Sequence, residues 1–150
     1  MSSGPLLPAA VICDLAGVSQ SKYVKWVSQR VVRPASGSGC SLLDCLELAV
    51  AQALVVHLKR LEALRITMNQ LVEGLPDIPE IGTLDVLYEP RYSTALWGYS
   101  PNDLAEFGRH YHRILVVDMR QVVDDVRRGF ARRVQDRASR PLRIVGSKPA

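Results

Sequence analysis

Residues 15–34 read LAGVSQSKYVKWVSQRVVRP, and this stretch carries the strongest structural signal in the chain. Gly17 interrupts an apolar segment that begins near Ala9, and glycine lets the backbone turn tightly between two helices. Ser19 then stands at the position of a helix N-cap, and the second helix should run from there to about residue 29. The stretch therefore predicts two helices that are joined by a short turn.

The second of these helices carries side chains that suit a nucleic-acid partner. The residues that we expect to face the core are Val18, Tyr23, Val24 and Val27. The polar residues of the same segment are Ser19, Gln20, Ser21, Lys22 and Lys25. Serine and glutamine hydrogen-bond the edges of bases, and lysine neutralises phosphates. We therefore expect this helix to contact double-stranded DNA.

A short apolar segment and a glycine-rich tip follow the second helix. Residues 31–34 (VVRP) predict a short strand that stops at the proline, and residues 35–39 (ASGSG) predict the tip of a hairpin. Glycine adds no bulk, so this tip should be able to approach a phosphate backbone or a minor groove of DNA closely. The residues at or beside the tip that we expect to reach phosphates are Arg30, Arg33, Ser36 and Ser38.

Helices complete the first half of the chain, and the composition then changes. Ser41 with Asp44 three residues later predicts the start of a long apolar helix, from about residue 43 to residue 60. A further helical stretch should end near residue 74. Two prolines between residues 75 and 80 indicate a linker.

The second half predicts a different architecture. Apolar and β-branched runs predict three strands, at 83–88, 94–99 and 113–119. Residues 120–137 predict an amphipathic helix, with an apolar face formed by Val122, Val123, Val126, Phe130 and Val134. The sequence thus predicts an α+β protein. An α-rich winged helix-turn-helix domain at 9–74, preceded by a disordered lead, is followed by a small α/β module at 80–138 for dimerisation or effector binding.

The first half resembles the N-terminal domain of MerR-type regulators. LAGVS at 15–19 resembles the turn that leads into the recognition helix of that family, and Trp26 stands seven residues after the serine, where the family has an aromatic residue. VVRP at 31–34 resembles the wing strand, and Arg30 occupies a position that is usually glycine. GCSLLD at 39–44 resembles the start of the third helix of the family.

This resemblance spans residues 9–74, about half the chain, and it implies roles for particular residues. The residues that would face the major groove are Ser19, Gln20, Lys22 and Lys25. Trp26 would touch the DNA backbone, while Arg33 and the tip at 36–39 would form the wing. The resemblance implies a sequence-specific, double-stranded DNA-binding transcription regulator.

Dimers of such domains read paired half-sites about one turn of DNA apart, so we expect a homodimer. The C-terminal module should form it, through residues 114–117 or the valine face of the last helix. Three alternatives stay open. One is a DNA-architectural or recombination-directionality factor, and another is an antitoxin-like protein-interaction module. A third is a small-molecule sensor with a pocket formed by Tyr88, Tyr92, Trp97 and Tyr99.

The amino-acid composition narrows the classes of protein to which the chain can belong. The 150 residues, 47% of them hydrophobic, are enough for one core or two small ones, and the net charge of +4 permits a nucleic-acid partner. Three cysteines, Cys13, Cys40 and Cys45, favour a reducing compartment, and no zinc spacing is present. No catalytic trio or phosphate loop is evident. We expect a cytoplasmic protein that is not an enzyme, without metal, cofactor, signal peptide or membrane span.

Overall fold

The computed structural model describes residues 4–35, 37–72, 109 and 117–138. Most of these residues lie in five helices: α1 (Ala9–Ala16), α2 (Gln20–Ser28), α3 (Leu42–Val55), α4 (Leu61–Leu71) and α5 (Arg120–Ala138). Within the described ranges, the β structure consists of one isolated antiparallel bridge, between Leu7 and Cys40. The described part of the chain is therefore a helical assembly.

The predicted α+β fold is wrong for this part of the chain, in which neither a β-strand wing nor an α/β module is present. The segment at 31–34 is not a strand, because the chain keeps turning after α2. Arg30 has a left-handed φ of 62°, and the Val31 N–H donates to the Trp26 carbonyl at 2.9 Å. The predicted strands at 83–88 and 94–99 lie outside the described residues, whereas 117–119, the described end of the third, is not a strand.

The turn between α1 and α2 has the form that its sequence predicts. Gly17 ends α1 with φ 72° and ψ 32°, a left-handed conformation that glycine adopts without steric cost. The next N–H, that of Val18, donates to the Cys13 carbonyl at 2.9 Å. Ser19 is the N-cap of α2, and its Oγ accepts a hydrogen bond from the Lys22 N–H at 3.1 Å. Two short helices thus meet at a tight, fully capped turn.

Helix α3 is the central helix, since it packs against α1, α4 and α5. Its first turn is fixed by a capping box, in which the Ser41 N–H donates to Asp44 Oδ2 at 2.8 Å and the Asp44 N–H donates to Ser41 Oγ at 3.2 Å. The helix ends at Val55, and α4 begins separately at Leu61. The fully buried leucines and valine of α3 are Leu46, Leu48, Val50 and Leu54.

Helix α5 packs on α1 and α3, so its valine face lies in the core of its own chain. The buried residues on this face are Val123, Val126 and Phe130. A Cβ added at Gly129 would lie 2.8 Å from Leu15 Cδ2, which shows how closely α5 approaches α1. At the surface, Arg133 donates to Asp14 across the same contact at 2.7 Å. The boundary between two domains at residues 75–80, which lie outside the described residues, stays a prediction.

The segment before α1 is tied to the rest of the fold at Leu7. Leu7 is buried, and it exchanges two backbone hydrogen bonds with Cys40, at 2.8 and 2.7 Å. Gly39 allows this contact, because a Cβ there would lie 3.0 Å from Leu6 Cβ and 3.2 Å from the Leu7 carbonyl oxygen. The expectation of a disordered lead is therefore wrong for Leu7. The lead, and not a second wing strand, pairs with the end of the loop.

Candidate nucleic-acid interface

One face of α2 is exposed along the whole helix. The side chains on this face, which we call the α2 stripe, are Gln20, Ser21, Val24, Lys25 and Ser28. Their spacing of one, three and four residues places them on a single side of an α-helix. On the opposite side, Trp26 is 4% exposed and anchors the helix in the core. A helix that is held by one face and bare on the other can enter a groove of a partner.

The electrostatic setting of the α2 stripe favours an anionic partner. From Gly17 to Leu43 the sequence has no acidic residue, and it has four basic ones: Lys22, Lys25, Arg30 and Arg33. Lys25 and Arg30 are exposed, one in the stripe and one directly beyond the end of α2. In the fold the Glu47 carboxylate pairs with Arg33, so the positive charge left at this surface comes mainly from Lys25 and Arg30. Local positive charge raises the concentration of phosphate-bearing ligands at a surface.

Lys22 lies at the edge of the stripe, where it contacts α3. Its Nζ donates to Gln52 Oε1 at 3.2 Å and stands 4.8 Å from the centroid of the Trp26 ring. The side chain is half-buried. Lys22 therefore helps to hold α2 on the core, and of the two lysines of α2 it is Lys25 that faces outward.

Two other residues that were predicted to contact DNA, Ser19 and Trp26, stabilise the fold. Ser19 Oγ caps α2, and it also lies 3.3 Å from Ser21 Oγ. Trp26 is buried, so its indole offers almost no surface to a DNA backbone. The expectation that Val24 faces the core is wrong, because its side chain is 65% exposed.

The loop after α2 does not form the predicted hairpin, and an ion pair with α3 holds it in place. Arg33 donates to the Glu47 carboxylate from its backbone N–H at 2.7 Å and from its Nε at 3.1 Å. Burial raises the pKa of Glu47, and the hydrogen bonds and charge of Arg33 oppose this rise. Ser38 is exposed in the same loop, whereas Ser36 lies outside the described residues. Arg30, Arg33 and Ser38 therefore lie in the polypeptide that follows the stripe.

Sequence reasoning missed two members of the stripe, Val24 and Ser28. Both follow Gln20 at steps of four residues, so the helical period alone places them in line with it. The Ser28 hydroxyl donates to the Lys25 carbonyl at 2.8 Å, and it keeps its lone pairs for a partner.

The cysteines behave as small core residues. All three are free and buried, and burial raises the pKa of each thiol, that of Cys45 to about 12. Buried thiols with raised pKa values are poor nucleophiles. In the ranges that the structure covers, no cluster of His, Cys, Asp and Glu could hold a metal ion. None of the helices in these ranges combines the length and the hydropathy of a membrane-spanning segment.

An apolar cavity of about 690 Å³ lies between the start of α3 and the middle of α5. Its apolar lining includes Leu42, Leu43, Phe130 and Val134, and Arg127 contributes a cation. The aromatic residues 88, 92, 97 and 99, which we expected to line a sensor pocket, lie outside the described residues. The cavity has the volume of a small-molecule site. The sensor alternative, which named residues 88, 92, 97 and 99, stays an untested hypothesis.

Comparisons of this chain with family models, curated proteins and solved structures found no match. The resemblance to MerR-type regulators thus depends on the motifs between residues 15 and 44. It remains a hypothesis. The functional argument accordingly starts from the α2 stripe and its surroundings.

Proposed function

We propose that this chain is a sequence-specific, double-stranded DNA-binding transcription regulator, MerR-like in its helix-turn-helix, that acts as a cytoplasmic homodimer and not as an enzyme. The observation that carries the proposal is the α2 stripe: an exposed, mainly polar helix face within a segment that has four basic residues and no acidic one. The tight turn at Gly17 supports it, because this turn sets α2 against α1 in the order typical of helix-turn-helix proteins.

In the proposed complex, α2 lies in the major groove, which is wide enough for an α-helix. Gln20 and Ser21 stand in the first turn of α2, where recognition helices contact base edges. Lys25 neutralises a phosphate, and Arg30 does so just past the end of the helix. The ion pair of Arg33 with Glu47 ties the chain that leaves α2 to α3.

A homodimer follows from the size of the reading surface. One short helix contacts few base pairs, and two copies would read paired half-sites. The valine face of α5 is buried in its own chain, so the proposed dimer must use another surface. Occupancy of the paired site would then block or assist transcription.

The test is a titration of a random-sequence duplex with the chain, in which fluorescence anisotropy measures binding at several salt concentrations. We expect affinity to fall steeply with salt, because each neutralised phosphate releases counterions. Lys25→Ala should weaken binding and lower the salt slope by about one. Lys59→Ala is the matched control, since Lys59 is an exposed lysine outside α2, and it should bind like the unaltered chain. No binding even at low salt would refute the proposal.

A further inference from the structure

Val24 is an apolar residue in the middle of a polar surface. Its neighbours on the stripe are Gln20, Ser21, Lys25 and Ser28. Single exposed apolar residues are common and usually carry no function. Val24 differs because it is 65% exposed at the centre of the face that we propose for DNA.

We propose that Val24 contacts the 5-methyl group of a thymine and that Gln20 reads an adenine close to it. This inference rests on the proposed function, and it names the bases that the α2 stripe recognises. In the major groove, thymine presents a methyl group, whereas the other bases present mainly hydrogen-bond donors and acceptors. Valine has no polar group for these. Against another base edge it would leave a donor or acceptor unpaired, which weakens binding.

The spacing of the two residues suits neighbouring bases. Gln20 and Val24 are one helical turn apart, a rise of about 6 Å along α2. Stacked bases are about 3.4 Å apart along a strand, so the two side chains can reach base pairs one or two steps from each other. A glutamine amide can form two hydrogen bonds with adenine N6 and N7. In the described part of the chain the Gln20 amide has no hydrogen-bond partner, and it is exposed.

The experiment removes a methyl group from the DNA. A site is first selected from a random duplex library with the unaltered full chain, and each thymidine in that site is then replaced in turn by deoxyuridine. At one position per half-site we expect a loss of affinity of about fourfold, the value of one buried methyl group. With Val24→Ala, which keeps a single methyl group at this position, the loss of affinity caused by deoxyuridine should be clearly smaller.

Val56→Ala provides the matched control. Val56 is a valine of nearly equal exposure, 67%, that follows α3, and this variant should keep the sensitivity to deoxyuridine. Both substitutions are at the surface, so melting curves should match that of the unaltered chain. Salt-dependent binding with no sensitive thymidine, or an undiminished effect in Val24→Ala, would overturn the role of Val24 and leave the proposed function standing. Absence of any duplex binding would overturn both.

Discussion

Arg33 donates twice to the carboxylate of Glu47, from its backbone N–H at 2.7 Å and from its Nε at 3.1 Å. The side chain of Glu47 is 3% exposed, whereas that of Arg33 is 61% exposed. The central helix thus presents a buried acceptor to the loop that leaves α2. The hydrogen bonds fix the start of that loop where a β-ladder was expected.

Removal of the buried acceptor should destabilise the protein. Glu47→Ala leaves the Arg33 N–H without its partner, and we expect the free energy of unfolding to fall by about 2–3 kcal/mol. Urea unfolding measures this change. Glu62→Ala, at an exposed glutamate of α4, is the control and should cost no more than about 1 kcal/mol. Equal losses in the two variants would show that the pair with Arg33 contributes nothing.

The same carboxyl group predicts a pH dependence. Burial raises the pKa of Glu47 above its usual value, so the folded state holds this proton more tightly than the unfolded state does. The stabilising contribution is complete below the ordinary glutamate pKa, near 4.5, and is lost as pH rises through the raised value.

Glu47→Gln cannot titrate, which isolates this effect. Urea midpoints at a series of pH values should show the unaltered chain losing stability relative to Glu47→Gln as pH increases from about 4.5 toward neutrality. A difference that stays constant, or one that changes in the opposite direction, would contradict the buried environment of the carboxyl group.

A side chain at Gly17 should destabilise the turn before α2. Its φ of 72° is unfavourable for residues with a Cβ, and an added Cβ would meet no atom within 4 Å, so the cost is conformational. We expect Gly17→Ala to lower the free energy of unfolding by about 1–2 kcal/mol in thermal or urea unfolding. Gly37→Ala, in open space without a left-handed φ, should stay within about 0.5 kcal/mol of the unaltered chain.

Arg30 offers the converse experiment. Its φ of 62° is left-handed, and no other non-glycine residue in the described ranges has a positive φ. Arg30→Gly should therefore stabilise the fold by up to about 1 kcal/mol, while Arg30→Ala, which keeps the strained conformation, should not. Urea unfolding measures both stabilities. Equal stability of the two variants would contradict the predicted strain at Arg30.

Local signals in the sequence predicted where the helices begin, whereas the predicted end of α3 near residue 60 is wrong, because α3 ends at Val55. The turn at Gly17 and the cap at Ser19 depend on neighbours within a few residues, and so does the capping box of Ser41 with Asp44. Their energetics are therefore visible in short stretches of sequence. The amphipathic period of α5 gave its bounds to within one residue, Arg120–Ala138 against 120–137.

The structure of the predicted wing could not be inferred from local sequence in the same way. Val31 and Val32 have β-forming side chains, but a strand needs a partner, and the partner is a property of the whole fold. In the structure, the Val31 N–H bonds to the Trp26 carbonyl, while Cys40 pairs with Leu7. A local pattern therefore predicted a strand that the tertiary structure does not form.

The contacts of the candidate site were also only partly predictable from local sequence. Gln20, Ser21 and Lys25 are exposed, as their polar character indicates. Lys22 instead bonds to Gln52 and Arg33 to Glu47, residues 30 and 14 positions further along the chain. Such long-range partners cannot be read from one sequence without a fold.

The most direct measurement is a map of amide chemical shifts while a short duplex is titrated into the isotopically labelled chain. The account predicts that the largest shifts lie between residues 20 and 33, in the α2 stripe and the chain that follows it, with α4 nearly unchanged. Shifts confined to α4 or α5, or no shifts at low salt, would contradict DNA binding through α2.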